Sequence, residues 1–124
     1  MRDAAAGADL AWWGATDIAE AVRTGRVSAV EVTEAFLARI DRVDPAVNAF
    51  TDVTAARARA EAARVDAVRA GGGDPGPLAG VPFAVKNLFD IEGLPTRAGS
   101  RINRDRAPVT ADAVLVARMN AAGA

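Results

Sequence analysis

The clearest pattern of hydrophobic and polar positions lies in residues 28–45 and predicts an amphipathic helix. Its apolar residues recur at spacings of four, four and three and so form one stripe: Val32, Phe36, Ile40 and Val43. Ser28 and Glu31 form a capping box at its start, in which each side chain accepts a hydrogen bond from the other residue's backbone N–H group. We expect Asp44-Pro45 to end the helix, because proline disfavours helical backbone in the residue before it.

Weaker patterns on either side predict two further helices. The first runs from Thr16, which we expect to cap it, to about Thr24, and Gly25 stops it. The other runs from about Thr54 to Ala70 and carries three charged pairs at helical spacing, Arg57–Glu61, Glu61–Arg64 and Asp66–Arg69. Its exposed face is therefore charged and its buried face is thin. Residues 1–15 are expected to fray, although Leu10, Trp12 and Trp13 would dock on other residues if the segment orders.

The sequence changes character after the glycine- and proline-rich segment 71–77, which predicts a loop. Residues 78–86 contain the apolar run Val-Pro-Phe-Ala-Val, which favours a strand buried on both faces. Residues 96–109 are polar and rich in arginine, without periodicity, and they predict an ordered loop.

A last helix is expected over Ala113–Met119, with Gly123 as its stop. One strand among several helices cannot pair its own backbone N–H and C=O groups, so it needs neighbouring strands. The fold class is therefore α/β, and the chain is interpreted as the incomplete front part of a single domain. Residues 1–76 would form a helical lead-in and linker, and residues 77–124 the first strand, a loop and a helix.

Composition excludes several classes of function. The 124 residues carry 15 Lys plus Arg against 16 Asp plus Glu, and this balance argues against direct binding of nucleic acid. Without cysteine or histidine the chain lacks thiolate metal sites and the usual general base, so we expect no cofactor and no metal. No apolar stretch is long enough for a membrane span and the N-terminus lacks a signal-peptide core, so a cytoplasmic location is expected.

Lys86 is the only lysine beside fourteen arginines, and it stands at the end of the apolar run. A single lysine is most often a surface charge or a salt-bridge partner. Its position also suggests chemistry, because ligand crevices form where strands leave an open α/β sheet. Arginine keeps its proton near neutral pH, whereas a buried lysine can lose it and become a general base for a hydroxyl nucleophile. Lys86 is therefore the candidate catalytic residue.

The sequence alone places no nucleophile beside Lys86. Its serines are Ser28, which is explained as a helix cap, and Ser100, which lies in a loop that nothing positions. Asp90 follows Lys86 closely and could neutralise it, which would count against catalysis. The arginines of residues 97–106 could bind a carboxylate substrate, although a solvated loop is the simpler interpretation.

Three blocks of the sequence resemble the amidase signature family. Residues 77–86, Pro-Leu-Ala-Gly-Val-Pro-Phe-Ala-Val-Lys, match its P-L-x-G-[IV]-P-hydrophobic-x-[IV]-K block, and residues 93–96 match its Gly-Leu-x-Thr turn. Residues 112–124 match its D-A-x-[VL]-V helix, which closes with Ala-Gly-Ala. The resemblance extends over nearly the whole chain from about Trp13.

The resemblance implies an α/β/α sandwich around a large mixed sheet, and hydrolysis of amide bonds by a Ser–cis-Ser–Lys triad. The family's lysine falls on Lys86, which would accept the proton of the nucleophilic serine through the bridging serine. Both serines belong to a Gly- and Ser-rich segment that would follow residue 124. A product that ended at residue 124 would be expected to be inactive, and poorly folded because a half-built sheet exposes its edges and apolar faces.

Asn87 stands where many members of the family have Asp, and this resembles the branch of 1-carboxybiuret hydrolase large subunits. That branch acts on urea-like amides together with a small partner subunit. The resemblance implies a small-molecule amide substrate and leaves open whether the partner is a second copy or a small subunit. The alternatives are an amidotransferase A subunit, which acts on glutamine with tRNA-linked partners, and a non-catalytic helical binding domain.

Overall fold

The computed structural model describes residues 10–124, which form four α-helices and two short 3₁₀ helices. The α-helices are α1 (Ala15–Arg23), α2 (Ala29–Val47), α3 (Ala55–Ala70) and α4 (Val114–Ala121). The 3₁₀ helices are Leu10–Trp12 and Arg101–Asn103. No β-strand forms within residues 10–124.

The N-terminal end of the described chain is ordered by its apolar side chains. The fraying predicted for residues 1–15 lies outside the described residues as far as residue 9, and from Leu10 onward the prediction is wrong. Leu10 and Trp13 pack against the helical core, and the ring of Trp12 lies 4.7 Å from the guanidinium carbon of Arg39. Partial removal of the Leu10 and Trp13 side chains from water offsets the entropy lost by ordering the segment.

The predicted start of α1 is wrong by two residues. The helix begins after Gly14, whose extended backbone and carbonyl group start the hydrogen-bond ladder with Ile18 N–H at 3.0 Å. Thr16 therefore lies inside the first turn and caps nothing. Gly25 follows the end of α1, as predicted for a glycine that stops the helix. Its φ of 75° lies in the left-handed region, which favours glycine.

The capping box of α2 is confirmed, and its predicted end is not. The hydroxyl of Ser28 accepts from the Glu31 N–H at 3.0 Å, and the Glu31 carboxylate accepts from the Ser28 N–H at 2.8 Å. Pro45 lies inside the last turn, where its missing N–H removes only one helical bond. The helix ends at Asn48, which has a φ of 50°, and Asp44 accepts from Asn48 through its carbonyl group and from residues 49 and 50 through its carboxylate.

The chain divides into two compact units, which we name by their contents. The helical unit comprises residues 10–82 and 122–124, and the lysine unit comprises residues 83–121. In the helical unit α2 packs against α3 and against the 3₁₀ helix Leu10–Trp12. The buried side chains of its core are Ile18, Ala19, Val22, Ala29, Val32, Ala62, Val65, Ala79 and Val81.

Position 80 requires glycine, because its backbone lies close to residues of α1 and α2 in the helical unit. Gly80 has a φ of 70°, and a Cβ atom there would lie 2.9 Å from side-chain atoms of Val22 and of Ala29. Its N–H donates to the Gly123 carbonyl at 2.8 Å, and Leu78 N–H donates to the Ala122 carbonyl at 2.9 Å. These bonds dock the turn at residues 77–80 within the helical unit.

The strand predicted over residues 78–86 does not form in the described part of the chain. Residues 77–80 form a turn, and residues 81–86 have no regular secondary structure. A strand requires a neighbouring ladder, and residues 10–124 supply none. The helices of the predicted α/β class are present, and its sheet stays a prediction.

Backbone hydrogen bonds rather than a core define the lysine unit. Val116 on α4, with 3% of its surface exposed, is its one buried residue. Gly93 N–H donates to the Val109 carbonyl at 2.9 Å, and Val109 N–H donates to the Leu94 carbonyl at 3.1 Å. Ala113 N–H donates to the Asp90 carbonyl at 2.9 Å just before α4 begins.

None of the helices within residues 10–124 combines the length and the apolar character that crossing a membrane requires.

Candidate functional site

Lys86 lies in the lysine unit at the end of the irregular residues 83–86, immediately before a turn. Its carbonyl group accepts from the Phe89 N–H at 3.0 Å, and this bond closes the turn over residues 86–89. The side chain of Lys86 is exposed. Residues 83–121 therefore do not supply the burial on which the general-base hypothesis depends.

Asp90 does not neutralise Lys86 in the described part of the chain. One Asp90 carboxylate oxygen accepts from the Thr96 hydroxyl at 2.5 Å. No ion pair joins Lys86 to any carboxylate among residues 10–124. The structure therefore shows no ion pair of the kind on which the objection to catalysis was based, and Asp90 bonds to Thr96 instead.

Ser100 belongs to the same unit as Lys86 but makes no hydrogen bond to it. The Ser100 N–H donates to the Arg97 carbonyl at 3.0 Å, and the Ser100 carbonyl accepts from the Asn103 N–H at 3.2 Å. These are bonds of a turn and of the 3₁₀ helix that follows it. The structure thus gives Ser100 a backbone role and no contact that would make it the nucleophile.

Residues 95–108 form a closed loop within the lysine unit, and we call it the arginine loop. Its two ends are joined by the hydrogen bonds between Val109 and residues 93 and 94. Ala98 N–H donates at 3.1 Å to the carbonyl group of Asn87, the residue after Lys86. The sequence did not predict this contact, because the two residues are eleven positions apart and no periodic pattern links them.

The backbone of the arginine loop is strained at the point of this contact. Ala98 has a φ of 47° and Gly99 a φ of 69°, so both are left-handed. The conformation costs a residue that has a Cβ atom, here Ala98, roughly 1–2 kcal/mol. Non-glycine residues in such conformations cluster at functional sites, which singles out this part of the loop.

Two exposed acidic side chains of α2 form a helix cap and an ion pair. Hydrogen bonds from the backbone and side chain of Ser28 lower the pKa of Glu31. A two-bond ion pair with Arg59, at 2.5 and 3.1 Å, lowers the pKa of Glu34 and joins α2 to α3. No cluster of acidic groups within residues 10–124 is arranged to hold a metal ion.

Asp66 performs a structural function that the sequence does not reveal. Its carboxylate accepts from the N–H groups of Ala29 at 2.8 Å and Val30 at 3.1 Å, in the first turn of α2. The helical spacing of the sequence suggests Arg69 as its partner. The side chain instead caps a neighbouring helix 36 and 37 residues away.

A shallow cleft of about 320 Å³ lies where α2 ends in the helical unit. Its lining residues are Ile40, Asp41, Asp44, Pro45, Asn48 and Val53. It contains no hydroxyl, thiol or amine that could act as a nucleophile, so it is not a candidate catalytic site.

Two named relatives match almost nine tenths of the chain. The chain is 56% identical over 108 residues to the AtzE subunit of 1-carboxybiuret hydrolase from Pseudomonas sp. (strain ADP), covering 87% of this chain and 24% of the relative. It is 48% identical over 108 residues to the A component of glutamyl-tRNA(Gln) amidotransferase from Streptomyces avermitilis, covering 87% of this chain and 21% of that protein. The chain thus spans less than a quarter of the length of either relative.

Solved structures agree with these matches. One is described as an unexpected vestigial protein complex that reveals the evolutionary origins of an s-triazine catabolic enzyme. This chain superimposes on it with a TM-score of 0.88 at 54% identity, over 90% of this chain and 24% of that one. A bacterial aryl acylamidase of the amidase signature family gives a TM-score of 0.76 at 32% identity, over 82% of this chain and 21% of that one.

A family model agrees with the sequence motifs around Lys86 and with the relatives and structures above. The model of the Amidase family matches residues 31–124, which is most of the chain and includes the lysine block, the arginine loop and α4. The chain therefore belongs to the amidase family.

Proposed function

We propose that this chain is the N-terminal part of an amidohydrolase that cleaves a C–N amide bond in a small urea-like or biuret-like substrate. The observation that carries the proposal is Lys86, the only lysine, which stands in the family's lysine block with no carboxylate paired to it in the described residues. The 56% identity to a component of 1-carboxybiuret hydrolase supports the substrate class.

In the proposed mechanism Lys86 is the general base of a Ser–cis-Ser–Lys triad. Its neutral amine would accept a proton from a bridging serine, which in turn takes the proton of the nucleophilic serine as that oxygen attacks the amide carbon. A lysine can perform this step only when it is desolvated. Because Lys86 is exposed in the lysine unit, we propose that residues outside 1–124 supply both serines and the burial.

A second candidate function is that of the A component of an amidotransferase, with glutamine as its substrate. The 48% identity to such a component from Streptomyces avermitilis favours it. The two functions share the lysine block and differ in substrate and in partners. We propose a cytoplasmic enzyme that assembles with a second copy or with a small subunit, and the amidotransferase would require tRNA-linked partners.

The test is release of ammonia by the full-length gene product, with 1-carboxybiuret, biuret and L-glutamine as substrates. A general base contributes about 10²–10⁴-fold, so Lys86→Arg and Lys86→Met should lower kcat by that factor. Arg118→Lys, a change of the same kind at an exposed position of α4, should leave kcat unchanged. Full activity in Lys86→Arg would contradict the base assignment, since arginine cannot accept the proton.

A hybrid enzyme keeps the proposal testable if the gene product is inactive. Residues 10–124 would replace the matching segment of the Pseudomonas relative, which is 56% identical over the aligned region. Activity of the hybrid that depends on Lys86 would support the proposal. A folded hybrid whose activity is unaffected by Lys86→Met would leave the non-catalytic helical binding domain as the better description.

A further inference from the structure

The arginine loop carries exposed cations that no described carboxylate neutralises. Arg101, Arg104 and Arg106 are exposed and form no ion pair among residues 10–124. Asp105 is the only acid in the loop. The chain as a whole has a net charge of −1, so this local excess of positive charge does not follow from overall composition.

Two of these arginines are held side by side by the 3₁₀ helix Arg101–Asn103. The Arg104 N–H donates to the Arg101 carbonyl at 3.1 Å, which places the two residues one 3₁₀ turn apart. Side chains three residues apart in a 3₁₀ helix are eclipsed, so the Arg101 and Arg104 side chains leave the backbone at the same edge of this turn. Like charges at this spacing repel one another. An anion bound between them would offset the repulsion through charge-assisted hydrogen bonds.

A backbone hydrogen bond joins the arginine loop, which carries this pair, to the residue after Lys86. Ala98 N–H bonds to the carbonyl group of Asn87, one residue after Lys86, at 3.1 Å. The Ser100–Arg97 hydrogen bond closes a β-turn, whose first and last Cα atoms lie within about 7 Å of each other. Arg101 directly follows this turn, and Lys86 directly precedes Asn87. Each of the two residues therefore lies next to a residue whose backbone is hydrogen-bonded within the lysine unit.

We propose that Arg101 and Arg104 form a clamp for a carboxylate group of the substrate whose amide bond is cleaved at Lys86. This inference rests on the proposed function and deepens it, because it assigns two residues of this chain to the binding of the substrate carboxylate. Both candidate substrates, 1-carboxybiuret and glutamine, carry a carboxylate. Arginine binds that group through two parallel N–H bonds, which fix its orientation as well as its position.

The test compares a carboxylated substrate with its carboxyl-free analogue in the full-length enzyme. The pairs are 1-carboxybiuret with biuret, and L-glutamine with 4-aminobutanamide. Arg101→Gln and Arg104→Gln should lower the ratio of kcat/KM for the carboxylated over the carboxyl-free substrate by about tenfold to a hundredfold, mainly through KM. Arg101→Lys should cause a smaller decrease, because it keeps the charge and loses the two-bond geometry.

Arg118→Gln is the matched control, since it removes an exposed arginine of the same unit outside the loop. An unchanged substrate ratio in the loop variants of an active enzyme would overturn the clamp and leave the proposed function standing. An equal loss on both substrates would also overturn it, as would loss of an acidic protein partner without a change in kinetics. A wild-type enzyme without activity on any of these amides would instead refute the proposed function itself.

Discussion

Removal of the Asp66 carboxylate should destabilise the helical unit by uncapping α2. Ala29 is fully buried, so its N–H group cannot find water as a substitute acceptor. A hydrogen bond to a charged group contributes about 1.5–3 kcal/mol, and the partial exposure of Asp66 favours the low end. With two such bonds, Asp66→Ala should lower the free energy of unfolding by about 2–3 kcal/mol. Asp66→Asn keeps one acceptor oxygen and should lower it by about 1 kcal/mol.

The assay is urea unfolding of the full-length gene product followed by circular dichroism, with the free energy taken by linear extrapolation. Asp41→Asn is the control, because this exposed acid on α2 contacts neither N–H group and should change stability by less than about 0.5 kcal/mol. If Asp66→Ala were no more destabilising than Asp41→Asn, the cap would not be a source of stability. If Asp66→Asn behaved like the wild type, the charge would be irrelevant.

Two further changes test packing and charge in the same unit. Gly80→Ala should lower the free energy of unfolding by about 2–5 kcal/mol, because the left-handed backbone and the 2.9 Å contacts both penalise a Cβ atom. Gly72→Ala, with φ of 80° and open space around it, should show the backbone penalty alone, and equal losses would refute the steric argument. Arg59 holds the pKa of Glu34 below its usual value near 4.5, so this pair stabilises the unit above that pH and is lost as the pH falls through the lowered pKa. Glu34→Gln should reduce the decrease in urea midpoint between about pH 6 and 3, unlike Glu20→Gln, and an unchanged pH profile would contradict the assignment.

The features predicted correctly from sequence are those set by residues within one or two helical turns. The capping box of α2 needs only Ser28 and Glu31, three positions apart, and it is present with both of its bonds. The ion pair of Arg57 with Glu61 follows equally from a spacing of four. Prediction failed at Pro45, where a local rule for ending helices was outweighed by the bonds that Asp44 makes to the following residues.

Interactions between distant residues could not be read from the pattern. Helical spacing gives Asp66 a partner on its own helix, yet it caps α2 across 36 and 37 residues. Glu34 and Arg59 are 25 residues apart, and no periodicity links them. The same limitation applies to the predicted strand, whose existence depends on a ladder with residues that the local pattern does not specify.

The sequence predicted one part of the candidate site, and the packing of the lysine unit decides how the tests of that site are interpreted. The singular lysine and the family block identified Lys86, whereas the bond between Ala98 and Asn87 that brings the arginine loop beside it emerged only from the fold. Since the lysine unit is shaped by backbone hydrogen bonds around a single buried residue, the side chains of Lys86 and Arg101 contribute nothing to a core. Exposed substitutions of this kind change stability by about 0.5 kcal/mol or less. In the full-length enzyme, where we propose that further residues bury Lys86, a loss of activity reports on proton transfer or carboxylate binding only where the urea midpoint of the variant equals that of the wild type.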